Sequence, residues 1–141
     1  MEYSKSGIQL TERFEGVRLT AYQDQVGRWT LGYGHTSGVQ AGQTCTPEQA
    51  EEWLQSDTAW AVGVVNRLVR VPLSQGEFDA LVDFVFNLGS GNFQHSHLLE
   101  LVNQGDFTSA ALEFAKWGHA GGQVVAGLLR RRIAEQQEFQ A

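Results

Sequence analysis

Apolar residues at Ile8, Leu10 and Phe14 predict the inner side of a short helix over residues 4–14, ending near Gly16. The pattern then shortens. Leu19 to Tyr22 and Trp29 to Tyr33 read as short strands, with Gly27 placed to turn the chain between them. Gly32, Gly34 and Gly38 predict an open loop beyond the second strand. Thr46-Pro47-Glu48-Gln49 marks a helix start, with a capping threonine, proline in the first turn and glutamine three residues on. Ala50, Trp53, Leu54, Asp57, Ala61, Val64, Val65 and Leu68 follow at helical spacing. They predict one helix over about 47–70, roughly 35 Å long and able to bridge two lobes.

A second capping box, Ser74 to Glu77, opens an apolar helix through Phe78, Leu81, Val82, Val85 and Phe86, closed by Gly89 and Gly91. Short helices are expected over 96–104 and 106–117. Gly118, Gly121 and Gly122 break the chain before a last helix over about 124–139. A sheet is expected only within residues 17–36. No internal repeat, low-complexity segment or disordered linker divides the chain. Residues 1–141 therefore read as a single α+β domain: an N-terminal lobe of about 1–58, an interlobe helix of about 47–70 and a helical lobe of about 71–141.

Composition narrows this reading without changing it. A hydrophobic share of 42% and a charged share of 18% are globular values. A formal net charge of −6 argues against nucleic acid as the main partner. The one basic run, Arg130-Arg131-Arg132, is of a kind that usually forms a solvated helix face. The single cysteine, Cys45, excludes an intramolecular disulfide framework and carries no His or Asn motif that would mark it as a nucleophile. The first sixteen residues hold no apolar run long enough for a signal peptide, signal anchor or membrane span.

The chemistry concentrates in EGVRLTAYQDQVGRWTLGYGHT, from Glu15 to Thr36. Cleaving a glycosidic bond takes an acid to protonate the leaving oxygen and a carboxylate to handle charge or water on the sugar's other face. Glu15 and Asp24 supply these groups from one segment, and Thr30 can hold a water. Taken singly, Glu15 is an ordinary helix-end residue, Asp24 a turn former and Thr30 a strand residue. Nine residues separate Glu15 from Asp24 and six separate Asp24 from Thr30, and a Gly-Tyr-Gly-His-Thr stretch ends the block. This arrangement resembles the signature of the phage lysozyme (endolysin) family of glycoside hydrolases. The resemblance implies a lysozyme-like fold, with catalytic roles for Glu15, Asp24 and Thr30. It also implies inversion, with Asp24 and Thr30 holding the attacking water. Covered by Phe14 and the following chain, Glu15 would stay protonated enough to donate. Some members carry Cys at the position of Asp24, so Cys45 has no claim to that role. His35 has no companion at metal-ligand spacing, so neither a metal nor a cofactor is expected. The family's histidine at this place pairs with an acid of the interlobe helix, here Asp57.

The second half extends the resemblance. Phe86-Asn87-Leu88-Gly89, Gly91-Asn92-Phe93, Ser96 and Leu98-Leu99 resemble the family's cleft floor, with His97 where Ser or Thr is usual. Trp117, Gly121-Gly122, Gly127-Leu128 and Arg131-Arg132 with Glu135 resemble its closing motif. On this basis Thr36, Phe86 and Ser96 are expected to touch substrate, while Arg131 lies beside Glu15 and supports it. Arg130, Arg131 and Arg132 are expected to give a local positive patch that Glu135 and Glu138 partly neutralise, with Arg130 and Arg132 serving mainly structure and solubility. The resemblance implies an endolysin that hydrolyses the β-1,4 bond between N-acetylmuramic acid and N-acetylglucosamine in peptidoglycan and so lyses the host cell. It would wait in the host cytoplasm as a monomer without stable membrane insertion, and would be released through the action of a holin. Two alternatives stay open. A lytic transglycosylase would close an anhydro ring without water, and a wall-binding protein would use the same scaffold without catalysis.

Overall fold

The computed structural model describes residues 1–141 and is α+β, with eight α-helices and two short antiparallel ladders. By contacts it forms two compact units, one of residues 11–59 and one of residues 1–10 with 60–141.

In the unit of residues 11–59, helix α1 (Lys5–Glu15) runs in and stops at Gly16, whose φ of 66° turns the chain away. Strands β1 (Arg18–Gln23) and β2 (Trp29–Gly32) then form the expected hairpin. Tyr22 faces Thr30 and Gln23 faces Trp29, and the register shifts before Arg18 meets Gly32. The 43–45 segment lies along the other edge of β1, through Ala21 N–H to the Gln43 carbonyl and Cys45 N–H to the Leu19 carbonyl. Helix α2 (Pro47–Asp57) opens with the full capping box of Thr46 and Gln49. Its Ala50 and Leu54 are buried, as is Leu31 of β2, on which α2 packs. Gly32 is required here twice over: its φ is 67°, and a Cβ on it would press within 3.2 Å of the Ala50 methyl.

The helix expected over 47–70 is two helices, α2 and α3 (Ala59–Leu68), separated at Thr58. Thr58 is buried and turns its hydroxyl back on the carbonyls of Leu54 (2.9 Å) and Gln55 (3.1 Å). Such back-bonding bends or interrupts helices.

The other unit is built around helix α4 (Gln75–Leu88), capped by the reciprocal pair of Ser74 and Glu77. Every residue from Phe78 to Val85 is buried, as befits a helix covered all round. Phe84 is its aromatic hub, meeting Phe93, Phe114 and Trp117 edge-on at centroid distances of 6.1, 5.9 and 5.5 Å. Residues 3–7 dock on the same helix, where buried Asp79 accepts from the Ser4 amide and hydroxyl and from Gln75. Helix α5 (Ser90–Gln94) was not expected, because Gly89 and Gly91 read as breakers; its single turn follows directly on the Gly89 cap. Helices α6 (His97–Asn103) and α7 (Phe107–Glu113) follow, the latter passing into a 3-10 turn over Phe114–Trp117. Helix α8 (Ala126–Gln140) packs on α4, and Gly76 allows the approach: a Cβ there would sit 2.5 Å from the Glu138 carbonyl oxygen.

The expectation of helices alone beyond residue 36 needs one correction. His119–Ala120 (β3) and Gln123–Val124 (β4) pair as a minimal exposed ladder. Gly121 and Gly122 adopt positive φ and close it as a tight turn, where the sequence reading took them simply as breaks.

Candidate active site

The β1–β2 hairpin carries two of the three expected catalytic residues and fixes both through a third that the sequence reading missed. Asp24 closes the hairpin loop. Its Oδ1 accepts from the amides of Val26 (3.0 Å) and Arg28 (2.9 Å), and its Oδ2 accepts from Arg28 Nε (3.0 Å). The Arg28 amide above all, then its side chain and the Val26 amide, hold the Asp24 carboxyl below the usual carboxylate range against some desolvation. Asp24 is therefore a stable anion and a weak base.

Thr30 is buried on β2 and donates its hydroxyl proton to the Arg28 carbonyl at 3.0 Å. With that proton committed, any further partner of Oγ1 must be a donor, as a water O–H is. Arg28 thus holds Asp24 through its amide and guanidinium and Thr30 through its carbonyl. The signal was an Asp and an Arg four residues apart across a turn, a spacing that reads as an ordinary surface pair.

Glu15 is the last residue of α1, three positions ahead of β1. The cover expected from Phe14 and the following chain is not there: Glu15 is exposed, as are Gly16 to Thr20. The reason is local, since Gly16 sends the chain straight into an outward-facing strand.

Behind the hairpin, His35 and Leu31 exchange both backbone hydrogen bonds at 2.9 Å across the glycine turn. The His35 ring stacks on Trp53 (4.6 Å, 12°), and Nδ1 meets Asp57 Oδ2 at 2.8 Å. Two residues of α2 therefore hold the histidine that closes the motif. Thr36 next to it is exposed. Cys45 lies partly buried, and burial pushes its thiol up, the reverse of an activated nucleophile. No group of three or more His, Cys, Asp or Glu side chains is placed to hold a metal ion.

The remaining expected residues lie in the unit of α3 to α8. Phe86 is partly buried, with the Trp60 ring 6.2 Å away. Ser96 is buried as the cap of α6, donating to the Phe93 carbonyl (2.7 Å) and accepting from the Leu99 amide (3.0 Å). His97, the departure from the family pattern, pairs with buried Glu113 at 2.9 Å, which Lys116 also contacts.

The basic run of α8 is not the expected positive patch. Arg130 is exposed, but Arg131 and Arg132 are buried. Arg131 grips Asp83 with two bonds, Nε to Oδ2 at 2.9 Å and Nη2 to Oδ1 at 2.8 Å. Arg132 reaches Asn87 (2.7 Å) and Glu135 (2.9 Å) through Nη2, and its guanidinium lies 5.5 Å over the Phe84 ring. Opposite charge, from Glu135 three or four residues on and from Asp83 on the facing helix, is what lets the two cations go inside. Burial first, then Asp83 close by, push the Glu135 carboxyl well above the usual range, and the two arginines oppose this only in part.

Against this geometry, the sequence model of the Phage lysozyme family matches residues 12–135. The chain belongs to the phage lysozyme family. It is 43% identical over 145 residues to an endolysin of Acyrthosiphon pisum secondary endosymbiont phage 1, covering 100% of this chain and 99% of that protein. Among solved structures, a mutant of P22 lysozyme superposes at a TM-score of 0.94 with 38% identity, covering 100% of this chain and 99% of the other. The muramidase domain of SpmX from Asticaccaulis excentricus does so at 0.91 with 42% identity over 99% and 98%. The fold is lysozyme-like, and members of the family are glycoside hydrolases.

Proposed function

We propose that this chain is an endolysin: a muramidase that hydrolyses the β-1,4 bond between N-acetylmuramic acid and N-acetylglucosamine in peptidoglycan, with Glu15, Asp24 and Thr30 as its catalytic residues. One observation carries the assignment of roles. Arg28 holds Asp24 as an anion and turns the Thr30 hydroxyl into an acceptor on the same hairpin. Glu15 donates the proton to the leaving oxygen. Because Glu15 is exposed, the exclusion of water from it is left to the bound glycan strand. Asp24 stays ionised, so its work is to stabilise positive charge on the sugar ring, to orient the attacking water and to take that water's proton as the new C–O bond forms. Thr30 accepts one hydrogen of that water. This division of labour favours direct attack by water and inversion at the anomeric carbon. Thr36, Phe86 and Ser96 contribute substrate contacts. Arg131 supports Glu15 in place, while His35 with Asp57 supports the end of the motif.

No helix is long and apolar enough to cross a membrane. We infer a monomer that accumulates in the host cytoplasm and reaches the wall after a holin opens the inner membrane. Glu15→Gln is the test of the activity. The variant is expected to fold and to bind purified peptidoglycan while losing at least about a thousandfold in its rate of clearing it, since an amide donates no proton. A variant that keeps a substantial share of activity removes Glu15 from the mechanism. Product ends decide the reaction: new reducing sugars support hydrolysis, and anhydromuramic ends would mean a transglycosylase.

A further inference from the structure

Two features of α3 cost the protein something and are not explained by packing. Trp60 is 46% exposed, whereas Trp53 stacks on His35 and Trp117 packs edge-on against Phe84. Gly63 sits in the middle of the same helix, where glycine is among the poorest residues. Nothing lies within 4 Å of where its Cβ would be, so an alanine would fit without strain. The two are linked by helix geometry. A helical side chain covers the surface over the turn before its own Cα, so a side chain at position 63 would lie beside residue 60. Glycine keeps the Trp60 ring uncovered.

We propose that Trp60 is a sugar-stacking platform for the glycan strand, kept clear by Gly63, an inference that rests on the muramidase reading. Three observations select this occupant. The Trp60 ring is set against Phe86 at 6.2 Å and a 36° tilt, beside the residue proposed above to contact substrate. A flat aromatic ring matches the apolar face of a pyranose. Arg67 lies on the same face, seven residues beyond Trp60, and is exposed without an ion pair. It complements the carboxylates of the peptides that branch from muramic acid, in a protein that is otherwise net acidic. Ring, gap and cation thus follow one another along one side of α3.

The test is binding without turnover. In the Glu15→Gln background, affinity is measured for peptide-free strands of alternating N-acetylglucosamine and N-acetylmuramic acid. Trp60→Ala is expected to weaken binding about tenfold, the order of half an aromatic face left unburied, and Trp60→Phe to recover most of it. Gly63→Leu leaves the Trp60–Phe86 pair in place and is expected to weaken binding as much as Trp60→Ala. Gly63→Ala is expected to raise the melting temperature, as an open helix position should. If Trp60→Ala and Gly63→Leu, both folded by circular dichroism, bind within twofold of their parent, the platform is overturned while the muramidase reading stands. If the Glu15→Gln parent itself binds no glycan, the muramidase reading falls and the platform with it.

Discussion

Each unit of this protein contains an arginine held on an aspartate, and the two pairs do opposite things. Arg131 and Asp83 are both buried and meet through two hydrogen bonds, with Arg132, Glu135 and Asn87 around them. Arg28 and Asp24 meet through one side-chain bond at a hairpin tip, where the Arg28 side chain is 67% exposed. In the first pair both charges are cut off from water and held by each other and by Glu135, so the pair is part of the architecture. In the second, water screens the attraction, and what matters is how the pair shapes the carboxylate. Burial, more than the chemistry of the partners, separates a structural ion pair from one that tunes a reactive group.

The largest expected effect breaks the buried pair. Arg131→Ala takes from buried Asp83 the cation that holds it through two hydrogen bonds and should cost about 3–5 kcal/mol in chemical denaturation. A loss below about 1 kcal/mol would mean that water reaches Asp83 and that the contrast between the units is false. Next comes Asp24→Asn. The amide oxygen can still accept from Val26 and Arg28, so the hairpin and melting temperature should hold. The catalytic rate on purified peptidoglycan should drop about a hundredfold, roughly 2.7 kcal/mol of barrier, because the charge is gone. Equal loss of stability and activity would make Asp24 a turn former alone.

A pH series sharpens the comparison further. Glu135 holds its proton more tightly folded than unfolded, so its contribution to stability is full below the unfolded value of about 4.3 and is lost as pH rises through the raised folded value. Glu135→Gln should remove that downward slope from the stability profile, whatever it does to the overall level. The smallest effect belongs to the exposed pair. Arg28→Ala should cost little stability, far less than Arg131→Ala. For Asp24 the sign is reversed: its lowered folded value gives stability that is present above about 4 and is lost as pH falls through it. The cost of Arg28→Ala should therefore fade in acid, and a cost unchanged down to pH 2 would separate Arg28 from Asp24.

Much of this was written in local sequence. The Thr46 and Ser74 capping boxes fold as read, because a cap depends on residues three apart. So does the hairpin around Gly27, which carries both Asp24 and Thr30, each bonded to Arg28. What escaped depends on groups far apart in the chain or on one side chain's choice of partner. Three arginines in a row look solvated until Asp83 and Asn87 arrive from another helix. Thr58 carries a helical pattern straight through the point where its own hydroxyl breaks it. The exposure of Glu15 follows from the direction β1 takes after Gly16, which composition does not encode.

The docking of Ser4 on Asp79 has a consequence for the order of assembly. These residues stand 75 positions apart, and the first ten residues pack with the unit that ends at Ala141. The 11–59 unit, by contrast, can make its internal contacts as soon as its own stretch has been synthesised. A chain emerging from the ribosome therefore completes its middle first and leaves its leading segment waiting. Closing that long loop is entropically costly, and until it closes Ser4 has no Asp79 to dock on.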